Sequence, residues 1–352
     1  MDSQRAGRCP GTAQKCFLIF RRPWREILLR AFLFYKLCSK INQMKIEIKK
    51  NIALAEYTTF RIGGPARYFF EAETAEDLKE ALLWAREKGV PYFILGGGSN
   101  LLVSDEGFDG LVIKVSSSRF QVSGNMINAD AGVPLARLVI ESVNNNLTGL
   151  EWAIGIPGTI GGAVCGNAGA YGHSISESVK GGKAMTQDGK IVDFDKNACR
   201  FCYRGSAFKE KDNNLIILEV QLQLAAEKNG KAKKRMKEIL AERSTKIPPF
   251  ASSGSFFKNY LVKDSGPLLK RFPELSQKIK GGKIAVAYFI EQAGLKGKTV
   301  GGAKIAEEHA NFIVNAGGAK AKDVLELAKI CKEKVKEKFG VGLEEETRYV
   351  GF

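Results

Sequence analysis

The sequence predicts an α+β fold in three parts, on three observations. A strand–helix–strand unit fills residues 68–115. Short strand segments with a hairpin-type turn follow over residues 120–224. Helices and glycine turns alternate again beyond residue 228, which places boundaries near Ser116 and Lys228. A chain of 352 residues is long enough for two or three such parts, each with its own core.

Residues 1–43 read differently from the rest. They hold nine Lys/Arg against Asp2 and Glu26, a net +7 of the chain's +16. Their apolar segment, 27–38, is too short to span a membrane and is interrupted by Arg30 and Lys36. It has no small-residue cleavage site of the kind a signal peptide needs. A basic amphipathic helix on a membrane surface is one reading. The preferred reading is a poorly ordered upstream extension, because Met44-Lys45-Ile46-Glu47-Ile48 can itself open a domain. On that reading, deleting residues 2–43 leaves fold and activity intact.

The next stretch, TTFRIGGPA at 58–66, is turn-rich and leads into a strand at Tyr68-Phe69-Phe70. Ala75–Lys88 has apolar residues at Leu78, Ala81, Leu82 and Ala85, which is helical spacing. Thr74 supplies an N-cap and Gly89 a C-terminal stop. Strands are expected at 90–95 and 111–115, then at 120–131 in a second sheet. A helix with proline in its first turn covers 134–146. Strands at 182–186 and Ile191–Asp195 flank the turn Gln187-Asp188-Gly189-Lys190, and another spans 215–224. A basic helix occupies 228–243, and two more helices lie at 286–293 and Ala321–Phe339. Gly301-Gly302-Ala303 and Asn315-Ala316-Gly317-Gly318 are turns.

Outside the N-terminal segment the body is mildly basic, which suits an anionic small molecule at least as well as nucleic acid. The seven cysteines, at 9, 16, 38, 165, 199, 202 and 331, are odd in number and follow no disulfide spacing. Cys199 and Cys202 form a lone CxxC with no second pair to complete a zinc site. Reduced thiols and a cytoplasmic setting are expected. With His173 and His309 as the only histidines, neither a histidine-based metal site nor a Ser-His-Asp triad is expected.

Two glycine-rich runs remain, GGGSN at 96–100 and GIPGTIGGAVCGNAGAYG at 155–172. Such runs let a backbone approach a ligand closely and turn its N–H groups inward. Together they suggest a phosphate-bearing cofactor held from two sides; the plainer alternative is a pair of tight turns. Neither run follows the G-x-G-x-x-G pattern of a Rossmann dinucleotide site.

In order along the chain, the motifs at 58–66, 96–100 and 156–172, YRGSAFK at 203–209, SGSFFKN at 253–259 and GLEEETRYVG at 342–351 resemble the UDP-N-acetylenolpyruvoylglucosamine reductase family. The resemblance runs from Met44 to the C-terminus. It implies a two-subdomain FAD-binding unit of the vanillyl-alcohol-oxidase type, at 44–115 and 116–227, and a C-terminal α+β substrate-binding domain at 228–352. It implies non-covalent FAD, NADPH as reductant using the substrate's cavity in alternation, and a UDP-sugar substrate. No nucleic-acid partner and no membrane span are expected, and the chain is taken as a monomer. The segment between Leu224 and Lys246 is short and contains no tyrosine, so the chain resembles the subtype lacking the tyrosine-bearing insertion.

The resemblance also assigns roles. Arg204 matches the arginine that stabilises charge on the substrate carboxylate, a task suited to a permanently charged, bidentate group. Ser255 matches the proton donor, and Glu346 the catalytic glutamate. Alignment on Arg348 selects Glu346 from Glu344-Glu345-Glu346, with a one-residue ambiguity because Glu345 stands where the family usually has proline. Tyr203, Lys246 and Asn259 are expected at the substrate. Relatives often carry proline where Tyr260 stands. The expected cofactor contacts are Arg61 and Gly63; Gly96, Gly97, Gly98, Ser99 and Asn100; and Pro157, Gly158, Thr159, Gly161, Gly162, Gly166 and Asn167. Two rivals stay open: another flavin oxidoreductase or oxidase on the same scaffold, and a colourless basic protein that binds nucleic acid or a membrane surface.

Overall fold

The computed structural model describes residues 46–210, 213–262 and 266–352. The expected extension over residues 1–43 lies outside the described residues. Residues 47–352 form one compact unit of α+β class.

The first sheet contains Lys49–Ala53 (β1), Pro65–Ala72 (β2), Tyr92–Leu95 (β3) and Phe108–Val115 (here β5, after Leu101–Val103 as β4). Its order is β1-β2-β5-β3, with β5 parallel to both β2 and β3. Helix Ala75–Lys88 (α1) covers one face with Leu78, Ala81, Leu82 and Ala85. Its ends fall where the sequence places them. Thr74 Oγ1 accepts from Asp77 N while Asp77 Oδ2 accepts from Thr74 N, and Gly89 closes the helix at φ 63°.

The second sheet is antiparallel throughout. It comprises Phe120–Ser123 (β6), Met126–Asp130 (β7), Val179–Met185 (β8), Ile191–Asp195 (β9) and Ile216–Gln223 (β10), in the order β9-β8-β10-β7-β6. Leu135–Asn144 (α2) packs Leu138 and Val139 into its core, with Pro134 as the residue before the first turn. The long glycine stretch is not a loop throughout: Ile160–Gly166 is a helix (α3). Three glycines in seven residues make it intrinsically poor. Tertiary contacts hold it, since Ile160 N donates to Val133 O and Gly161 N to Ala131 O, both at 2.9 Å.

The basic helix runs over Lys231–Lys246 (α4), a few residues later than expected, and buries Ala232 and Ile239. Ile239 belongs to the core of the second sheet rather than to that of the C-terminal residues. Beyond it, Ala251–Ser255 (β11), Thr299–Val300 (β12), Ala303–Ile305 (β13) and Phe312–Asn315 (β14) form a third sheet, ordered β11-β14-β13-β12. Val286–Gln292 (α5) and Ala321–Phe339 (α6) pack with it around Phe256, Phe257, Phe289 and Leu327. The turn expected at 301–303 is shorter, because Ala303 already pairs with Val300 and Asn315. The chain ends by adding Arg348–Val350 (β15) parallel to β4, a separate two-stranded sheet that returns the C-terminal motif to the strand following the first glycine run. None of the described helices is long and apolar enough to cross a membrane.

Candidate active site

A cleft of about 1480 Å³ takes its walls from all three sheets. Both glycine runs line it, facing Arg204, Lys209, Ser255, Glu346 and Arg348. A space of this size exceeds the ~300–1,000 Å³ of most small-molecule sites and suits a dinucleotide with a second ligand beside it.

The glycines divide by what stands before them. A Cβ on Gly97 would lie 2.6 Å from Gly158 Cα, one on Gly158 would lie 2.7 Å from Ser99 Oγ, and one on Gly96 would lie 2.8 Å from Thr159 Oγ1. Gly98, at φ 61°, would clash with Tyr57 O, and Gly161 with Ala131 Cβ. Gly96, Gly97 and Gly158 let the two runs pack closely against each other, while Gly98 and Gly161 make room for Tyr57 O and Ala131. A Cβ on Gly166 meets nothing within 4 Å, and on Gly162 only Thr159 Oγ1 at 3.5 Å. The N–H groups of Gly97, Gly98, Ser99 and Asn100 donate to no acceptor among the described residues.

Arg204 stands in a tight turn closed by Cys202 N to Gly205 O at 3.0 Å and Gly205 N to Cys202 O at 3.2 Å. Its φ is 59°, in the left-handed region that favours glycine or asparagine. Its Nη1 donates to Gly169 O at 2.7 Å, and its Nε lies 2.9 Å from Glu346 Oε1. That Nε–H is buried and has no aligned acceptor, so the pair is an ion pair without a hydrogen bond along Nε–H.

Glu346 is tied down at its backbone. Its N–H donates to Phe256 O at 2.8 Å and its carbonyl accepts from Asn100 Nδ2 at 3.1 Å. Burial pushes its carboxyl above the usual range, against the pull of Arg204, Lys209 and Lys258. Ser255 ends β11 beside Gly254, at φ 82°, and opposite Phe312. One residue and one backbone hydrogen bond therefore join Ser255 to Glu346. His309 also lines the cleft, with Nδ1 accepting from Asn311 N at 3.3 Å and its ring on Phe312. Burial pushes its pKa down.

Other expected site residues stand off the cleft wall. Asn167 ends α3 at φ 44° and donates from Nδ2 to Cys202 O at 2.8 Å, which steadies the Arg204 turn. Tyr203 Oη accepts from Asn259 N at 3.2 Å, and Asn259 Oδ1 accepts from Val286 N at 3.2 Å. Arg61 is exposed, and Gly63 lies against Val103, where a Cβ would come within 2.7 Å. Their neighbour Thr59 donates N–H to Gly98 O and Oγ1 to Ser252 O, so this motif buttresses the first glycine run. Lys246 does reach the cleft but is exposed and paired with Glu242 at 2.5 Å. Lys209, Arg243 and His309 line the cleft without having been singled out from sequence. Lys209 was within reach, as the last residue of YRGSAFK; Arg243 carries no motif.

Comparison with known proteins agrees with this geometry. Residues 66–195 match a family model described as FAD binding domain. Residues 246–350 match one described as UDP-N-acetylenolpyruvoylglucosamine reductase, C-terminal domain. The reductase of Solibacter usitatus is 39% identical over 308 residues, 87% of this chain and 97% of that protein. That of Clostridium botulinum strain 657 is 38% identical over 300 residues, covering 85% and 90%. The crystal structure of UDP-N-acetylenolpyruvylglucosamine reductase from Thermus caldophilus superposes with a TM-score of 0.69 at 33% identity, over 87% of this chain and 99% of that one.

The residues present fit FAD. Four unspent N–H groups at 97–100 form a cradle for a diphosphate, and the open faces of Gly162 and Gly166 leave room beside it. The FAD-binding unit and the α+β C-terminal domain both stand. Both glycine runs fall within the first of these matches and Ser255 and Glu346 within the second, and the chain belongs to the UDP-N-acetylenolpyruvoylglucosamine reductase family.

Proposed function

We propose that this chain reduces the enolpyruvyl ether of UDP-N-acetylglucosamine enolpyruvate to the lactyl ether, giving UDP-N-acetylmuramate for peptidoglycan precursor synthesis. The observation that carries the reading is the convergence of Arg204, Ser255 and Glu346 on the cleft that both glycine runs line. FAD, when bound, supplies a hydride that NADPH has delivered. Hydride arriving at the carbon β to the substrate carboxylate pushes charge onto that carboxylate. Arg204 stabilises this charge, and its hold on Gly169 O aims the guanidinium before substrate arrives. Glu346, paired with Arg204 and with its pKa pushed up by burial, helps polarise the same carboxylate or relays the proton. Ser255 gives its hydroxyl proton to the α-carbon. Lys246 reaches the diphosphate end, and the Tyr203–Asn259 pair supports it from behind the cleft wall. A monomer and a cytoplasmic setting complete the reading, the four described cysteines being free.

The test is steady-state turnover of the flavin-loaded enzyme. NADPH oxidation that depends on the enolpyruvyl sugar, matches lactyl ether formed and consumes no oxygen is expected. Oxygen uptake matching NADPH loss without the sugar would instead establish an oxidase.

A further inference from the structure

The turn carrying Arg204 is held from several sides. Asn167 Nδ2 secures Cys202 O, and Ser206 Oγ donates to Cys165 O at 2.8 Å on the far flank. Between them the backbone places Arg204 at φ 59°. A residue with a Cβ is strained in such a conformation, and it persists where surrounding contacts over-determine it. Glycine or asparagine would adopt this turn more readily, but neither brings a guanidinium.

The turn's own hydrogen bonds use the carbonyls of Cys202 and Gly205. The carbonyl of Arg204 itself accepts from Lys209 Nζ at 3.2 Å. Lys209 ends the short 3₁₀ turn Ala207–Lys209, whose N–H closes on Ser206 O at 3.0 Å. The ammonium therefore reaches back over five residues to the strained residue from a turn that is itself anchored. It lines the cleft, partly buried, and burial with the nearby charges of Lys258 and Arg348 pushes its pKa below that of an ordinary lysine. A solvated surface lysine would escape that cost.

We propose that Lys209 is a positioning residue for Arg204: by holding the Arg204 carbonyl it fixes the left-handed turn, and so the direction in which the guanidinium meets Glu346 and the substrate carboxylate. The inference rests on the role given to Arg204 above. Lys209 then acts through Arg204 and not as a separate ligand contact.

A double-mutant cycle on the flavin-loaded enzyme tests this, with flavin content checked by absorbance and both half-reactions followed by anaerobic rapid mixing. Lys209→Met is expected to slow reoxidation by the enolpyruvyl sugar about tenfold while reduction by NADPH stays within about twofold, and Lys209→Arg to recover most of the loss. In an Arg204→Ala background, Lys209→Met is expected to change reoxidation by less than about twofold, because the pair is coupled. A further tenfold loss in that background would overturn the clamp, as would an unslowed Lys209→Met or equal slowing of both half-reactions. Parent-rate reoxidation by Arg204→Ala alone would sink the reading of Arg204, and the clamp with it.

Discussion

Glu344, Glu345 and Glu346 are consecutive and meet three different partners. Glu344 pairs with Lys258, and Glu345 with Lys332 and the Tyr349 hydroxyl, while Glu346 faces Arg204 in the cleft. Glu346→Gln is expected to slow flavin reoxidation by about 10²-fold or more, and Glu344→Gln and Glu345→Gln by less than about twofold, all read by rapid mixing. Alignment on Arg348 selects Glu346 from sequence with a one-residue ambiguity; what distinguishes the three physically is the cation that a remote segment brings to each. His309 gives a prediction in stability. Its pKa is held below the ordinary histidine value of 6.5 by burial first, then by the charges of Lys296 and Lys246. The unfolded chain therefore binds a proton before the folded one does, so stability falls as pH drops from 6.5 toward the folded pKa. Denaturant midpoints at pH 7.5 and about 5.5 should fall further for the parent than for His309→Asn.

At the scale of elements, the glycine runs combine two functions that the sequence presents as one. Gly97→Ala pushes a Cβ onto Gly158 Cα, where no flexible side chain can give way, and is expected to lower both thermal stability and flavin content. Gly166→Ala meets open space, so the fold should keep its melting temperature while flavin affinity falls. A Gly166→Ala protein that keeps full flavin affinity would place the cofactor elsewhere in the cleft. Helix α1 was legible to its ends because its signals, the Thr74–Asp77 capping box and Gly89, are local. Thr74→Ala should lower stability by about 1 kcal/mol in chemical denaturation. Helix α3 was not legible, because Ile-Gly-Gly-Ala-Val-Cys-Gly has weak propensity and its support comes from the carbonyls of Ala131 and Val133. The β4–β15 pairing also escaped, since nothing in either three-residue strand names its partner.

At the scale of the molecule, the parts that read as separate in sequence are bound together. The core around Phe256 and Phe289 includes Phe60, Ile62 and Leu102 from the N-terminal side. β15 pairs with β4, and Asn100 of the first glycine run holds the backbone of Glu346. Leu102, fully buried in that shared core, should cost about 2–5 kcal/mol when cut to alanine, with circular dichroism and intrinsic fluorescence still reporting one coincident unfolding transition. This closure brings Arg204 from beside the second sheet, Ser255 from the third, and Glu346 from the returning C-terminus to one cleft. The most direct measurement of that central claim is the pair of half-reactions of Ser255→Ala under anaerobic rapid mixing. The account predicts that NADPH reduces the flavin within about twofold of the parent rate, while the enolpyruvyl sugar reoxidises it about 10²–10⁴-fold more slowly. Equal slowing of both half-reactions, or reoxidation at the parent rate, would contradict it.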